Sequence, residues 1–236
     1  MTAALDGGVR EMPRIGERTA LAVLLGVLVV WNLTGNLVLP GVVYVPANLA
    51  IAMLVVGVGR SAGLRWPELG LAREDLRRGL VVGGVAAVLV ALVLTVAILV
   101  PSMASFFESD SVAADSTFDH WFIPIVRIPI GTAVFEELLF RGVLLGLLIR
   151  LRSVRFAVVA SAVIFGLWHI VPAWESATGD VVQVGGAIIG TVAITTVAGV
   201  IFALMRVRSG SVAAPMLAHA ALNSFAYVAA VVVIAR

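Results

Sequence analysis

The sequence predicts an all-α, polytopic membrane helix bundle of about seven transmembrane helices. Three observations predict it: hydrophobic residues make up 61% of the 236-residue chain, charged residues only 13%, and apolar runs recur along its whole length. A soluble domain has about a quarter of its residues charged, and so many apolar runs cannot share one water-soluble core. The runs are also too long for barrel strands, which are about ten residues and alternate, but suit spanning helices of about 20.

The expected spans lie at 19–39, 42–59, 79–101, 122–150, 155–172, 184–205 and 211–235. No cleavable signal peptide is expected, because the first run, from near Ala20, is long enough to span and has no small-residue cleavage pattern after it. Arginine distribution orients the bundle. It is abundant in 1–18, in 60–78, at Arg150, Arg152 and Arg155, and at Arg206 and Arg208. The alternate connections lack it: 40–46 is uncharged, 102–121 carries Glu108, Asp110, Asp115 and Asp119, and 173–183 carries Glu175 and Asp180. This alternation places the N-terminus in the cytoplasm and the C-terminus outside. Residues 1–18 then form a cytoplasmic segment, and 19–236 a single membrane domain. Segment 64–78 reads either as a short interfacial helix with Trp66 at the lipid surface or as a solvated loop.

There is no cysteine, which excludes disulfides, thiolate metal sites and a cysteine nucleophile. A net charge of +2 gives no footing for a nucleic-acid partner; lipid and a peptide or protein substrate are the partners expected. All sixteen basic residues are arginine in an Ala-, Val- and Gly-rich chain, a composition that points to a GC-rich bacterial genome and a plasma-membrane location.

Ionisable groups at membrane depth cost roughly 2.5–3.5 kcal/mol each on insertion scales, so each is a functional-site hypothesis. The fourth span holds Glu136, Glu137 and Arg141. Glu137 and Arg141, four apart, share a helix face and can pair; Glu136 turns about 100° away and needs another partner. His169 ends the fifth span, and the seventh holds His219 with Asn223 one turn later. At about 1.5 Å per residue, Glu136 and His169 each lie roughly 20 Å from the arginine-rich end and His219 roughly 16 Å, so the groups can meet in one layer. His120, in the acidic outer loop, stands apart. The rival reading is structural: buried histidine and asparagine staple helices together, and Glu–Arg pairs do the same. Two adjacent glutamates exceed what one staple needs.

With no obvious side-chain nucleophile nearby, carboxylates and imidazoles point to an activated water. Two routes are open. Glu136, His169 and His219 match the His₂Glu ligand set of catalytic zinc, with Glu137 as general base. Without metal, Glu136 would take a proton from water with help from His169, and His219 and Asn223 would bind the oxyanion.

Glu136-Glu137-Leu-Leu-Phe-Arg141 fits EExxxR, Phe165-Gly-Leu-Trp-His169 fits FxxxH, and His219-Ala-Ala-Leu-Asn223 fits HxxxN. In this order, on separate apolar helices, the motifs resemble the CPBP family, the CAAX prenyl protease and bacteriocin-processing enzymes also called Abi proteins. The resemblance covers about 120–220, and the expected protease core runs over about 120–225. It implies a membrane-embedded endopeptidase in which Glu136 and His169 activate water, His219 and Asn223 steady the oxyanion, and Glu137, Arg141 and Phe165 shape the site. Family members have been described both as metalloproteases and as glutamate-dependent proteases, so zinc stays open. Span count is a departure, since the prenyl proteases look like eight-span proteins. The substrate chain is expected to enter between helices from the lipid or the cytoplasmic side. Two other classes share these features: a non-catalytic bacteriocin-immunity or scaffold protein, and a proton-coupled transporter.

Overall fold

The computed structural model describes residues 15–108 and 110–236; most of the predicted cytoplasmic segment 1–18 lies outside them. Helix dominates, and no strand occurs among the described residues. The principal elements are α1 (Glu17–Leu37), α2 (Tyr44–Ser61), α3 (Trp66–Leu69), α4 (Arg73–Leu99), α5 (119–151), α6 (Val154–Trp168), α7 (Ile170–Ser176), α8 (Val181–Ser209) and α9 (Ala213–Ile234). Among the described residues, six helices are long and apolar enough to cross a membrane. The expected fourth span is not one of them, because α5 is not a single α-helix: π-helical stretches at Ile123–Val134 and Leu138–Leu144 flank α-helical Phe135–Glu137. Its backbone is nonetheless helical throughout, which accounts for the seventh expected segment.

The π-helical start of α5 has a local cause. Pro129 lies inside it and has no N–H to donate, so a regular i→i−4 ladder is already interrupted there. Such departures recur at functional sites, and here they bracket the two glutamates.

α5 is the central helix. Residues 139–148 are buried without a break, among them Phe140, Val143, Leu144 and Leu147 at 0% exposure. A helix apolar all round belongs in the interior, and the other elements pack around it: Leu24 and Leu28 of α1, Ala52 and Val55 of α2, Ala157 and Phe165 of α6, and Ala203 of α8 join its core. The surrounding helices keep apolar outer faces, as lipid contact requires. In α4 only Gly79 and Gly83 are buried, while Leu80, Val81, Val85, Val88 and Leu92 are exposed.

Small residues set the closest helix approaches. A Cβ on Gly83 would lie 2.7 Å from the Ala214 carbonyl of α9, whereas Gly84 faces open space. Gly199 of α8 packs at 3.0 Å on Ala162 Cα of α6 by the same measure. Lipid tails give apolar helices no reason to associate, so van der Waals contact of this kind must hold them.

The arginine-rich end is closed by a polar latch, and here the expectation of one interfacial helix over 64–78 is corrected. The segment is the single turn α3, a break at Gly70 (φ 73°) and the start of α4. It packs inward because Gly142 and Gly146 of α5 leave room for the Leu69 and Glu68 carbonyls, 3.4 and 3.0 Å from where a Cβ would stand. Arg150 grips Glu68 with two hydrogen bonds of 2.8 and 2.7 Å, donates to the Gly63 carbonyl at 2.7 Å and reaches Glu17 at 3.3 Å. Buried Arg206 donates to the carbonyls of Pro67 and Glu68 at 2.9 and 3.0 Å. One turn of chain is thus tied to α1, α5 and α8.

Candidate active site

Glu136, Glu137 and Arg141 of α5, Phe165 and His169 of α6 and its end, and His219 of α9 come together inside the bundle. Glu137 is fully buried, and its Oε1 accepts from Arg141 Nη1 and from His219 Nδ1, both at 2.8 Å. The predicted i,i+4 ion pair therefore forms, and it has a third member from another helix. Arg141 is 1% exposed. Its Nη2 reaches the Gly199 carbonyl at 3.4 Å, and its guanidinium lies 4.1 Å from the Phe165 ring centre and 5.2 Å from that of Phe202. Aromatic faces attract a desolvated cation, and Phe165 forms one wall of the arginine's slot.

Glu136 points elsewhere, as the helical turn requires. Its Oε1 accepts from Trp168 Nε1 at 3.2 Å, and its Oε2 lies 3.8 Å from His219 Nε2 with no hydrogen-bond partner among the described residues. His219 is thereby suspended between the carboxylates, with Phe202 stacked on its ring at 5.2 Å and Phe165 edge-on at 5.9 Å. Its Nδ1–H is committed to Glu137, which turns Nε2 toward Glu136.

His169 occupies the break between α6 and α7, where its backbone (φ −85°, ψ 2°) leaves the helical region. Its Nδ1–H donates to the Phe165 carbonyl at 2.8 Å. That bond selects the tautomer whose Nε2 carries a free lone pair. His169 is half-buried and lines a cavity of about 200 Å³ with Glu136, Trp168, Asn36, Tyr44 and Asn48. Asn223 follows His219 by one turn of α9 and is half-buried. His120 stays outside the cluster, its Nε2 3.2 Å from the Val112 carbonyl.

The cavity lies toward one end of the bundle. It runs from Glu136 to Gly35 and Asn36 in the last turn of α1, Tyr44 at the start of α2 and Pro172 of α7, which is the arginine-poor end of the bundle. A second cavity, about 210 Å³, lies at the arginine-rich end; it reaches Arg141 but neither glutamate, with Arg150, Glu68 and Arg206 in its wall. The polar latch separates the glutamates from that side.

Sequence reasoning missed the residues that complete the cluster: Trp168, Phe202 and the polar side chains of α1 and α2. Asn32 and Asn48 carried a usable signal, being amides inside apolar spans and 7% and 2% exposed. Asn32 Nδ2 donates to the Trp168 carbonyl at 2.9 Å, and Trp31 Nε1 donates to Asn48 Oδ1 at 2.7 Å. Among the described residues no three His, Asp or Glu side chains stand close enough together to hold a metal ion as they are placed here.

Fold and cluster together define a polytopic helical membrane protein with a buried glutamate–histidine centre. Residues 118–225, just under half the chain, match the family model described as Rce1-like, type II CAAX prenyl endopeptidase Rce1-like. This match bears out the resemblance to the CPBP family drawn from the three motifs and supports a CAAX-protease-type enzyme. No curated protein and no solved structure matches the chain.

Proposed function

We propose that the protein is an intramembrane endopeptidase that hydrolyses a peptide bond of a membrane-associated protein or peptide with a water activated by Glu136. One observation carries this reading: the Glu136 carboxylate is buried, one of its oxygens has no partner among the described residues, and Glu136 lines the same cavity as His169, whose Nδ1 is spent on the Phe165 carbonyl. A water held there gives its proton to Glu136 Oε2 as its oxygen attacks the peptide carbonyl carbon, with His169 orienting it. The resulting oxyanion takes hydrogen bonds from the Asn223 amide and from His219 when the imidazole is protonated. The C–N bond then breaks as the proton held by Glu136 passes to the departing amine. Glu137 and Arg141 act by position: Glu137 orients His219, and Arg141 balances its charge. Since the three zinc donors do not converge, no step passes through a metal.

The test is cleavage of a fluorogenic peptide pool by purified protein in liposomes, comparing wild type, Glu136→Gln and His219→Ala, each with and without a strong chelator. Loss of cleavage in both folded variants is expected, with wild type indifferent to chelator. Cleavage that survives Glu136→Gln overturns the mechanism. Loss with chelator restores the zinc route, and no cleavage by wild type favours a scaffold or transporter.

A further inference from the structure

We propose that α1 and α2 supply a main-chain recognition subsite for the substrate peptide, formed by Asn36, Tyr44 and Asn48; this rests on the protease reading. None of the three lies in the matched segment 118–225. All three line the same cavity as Glu136 and His169. An extended peptide entering a water-poor site must find a donor for each carbonyl and an acceptor for each N–H, because unpaired amide groups are costly to bury.

The wall is built to offer both. Asn48 Oδ1 is taken by the Trp31 indole at 2.7 Å, which turns the N–H₂ toward the Tyr44 hydroxyl; one N–H is used there, and the second is the group it can present. Beside it, the Tyr44 hydroxyl shares a hydrogen bond of 3.0 Å with Thr132 Oγ1, which ties α2 to the helix of the glutamates one turn before Glu136. Asn36 spends its N–H₂ on the Asn32 carbonyl at 2.7 Å, leaving Oδ1 to accept. A donor and an acceptor held in one wall complement a single peptide unit. Asn36 Oδ1 has no partner among the described residues, and its residue is exposed where it lines the cavity, so the oxygen is reachable by an incoming peptide N–H.

Two measurements test the subsite. In the first, Asn48→Asp keeps the oxygen that Trp31 needs and removes the N–H donors, while Asn36→Leu removes the acceptor. With the peptide pool, each variant raises KM about tenfold and leaves kcat within about twofold, the pattern of lost uniform binding. Unchanged KM in both folded variants overturns the proposal, as does a fall in kcat at constant KM. The second measurement needs no turnover. The chain has no cysteine, so Asn36→Cys in a Glu136→Gln background gives one thiol, whose modification by a water-soluble thiosulfonate is followed with and without the pool. Protection by the peptides is expected. Protection alongside a wild type that cleaves nothing would support the subsite and remove the protease reading; an absence of protection overturns the subsite.

Discussion

Replacing Arg141 with alanine would strand the carboxylate of Glu137 at a position with 0% exposure, with only His219 left to meet it. Removing one partner of a buried ion pair costs about 3–5 kcal/mol, since the remaining charge is desolvated and uncompensated. At about 2–4 °C per kcal/mol for a chain of this size, thermal unfolding would fall by roughly 6–20 °C. Glu137→Gln alone strands the guanidinium instead, which has the Gly199 carbonyl at 3.4 Å and three aromatic rings around it, so its loss is expected near the low end of that range. The double variant Arg141→Met/Glu137→Gln removes both charges and conserves most of the volume. It should recover stability to within about 1–2 kcal/mol of wild type. Activity should not recover with it, because His219 has lost the carboxylate that orients Nδ1. The assay is a double-mutant cycle in detergent, with unfolding and peptide cleavage measured on the same preparations. Additive stability losses would refute the reasoning about a coupled buried pair. Full activity in the stable double variant would refute the positioning role of Glu137.

Trp168→Phe removes the indole donor 3.2 Å from Glu136 Oε1 but keeps an aromatic ring against Phe140 and Phe135, so kcat is expected to drop about 10–100-fold with little change in melting; unchanged kcat sinks the role. Gly83→Ala forces a Cβ against the Ala214 carbonyl and should destabilise by about 1–3 kcal/mol, while neighbouring Gly84→Ala meets nothing within 4 Å and should be neutral or slightly stabilising, read by paired melts. For the orientation, Thr178→Cys should react with an impermeant maleimide on intact cells and Arg152→Cys only after permeabilisation; the reverse pattern would invert the topology inferred from arginine.

Much was legible in the sequence because a bilayer leaves so few options. Apolar runs of spanning length must be helices, and a charge inside one must have a purpose, so Glu136, Glu137, Arg141, His169 and His219 stood out without any geometry. The pairing of Glu137 with Arg141 also followed from spacing alone, since four residues of helix bring two side chains together whatever surrounds them. The partners that tertiary packing supplies were not legible. Trp168 and Phe202 look like ordinary members of apolar spans, and only the rotation of each helix about its axis decides whether an indole meets Glu136 or faces lipid. The π-helical stretches of α5 add to this: they change the angular step per residue, so spacing arguments drift on either side of the glutamates. Which end of the bundle the cavity reaches was likewise decided by packing, because one arginine latch between helices far apart in sequence closes the other end. Sequence by itself determined the membrane, the helices and the reactive groups, which depend on local chemistry. Tertiary structure alone decided who faces whom, because that depends on rotations and crossings that no single segment encodes.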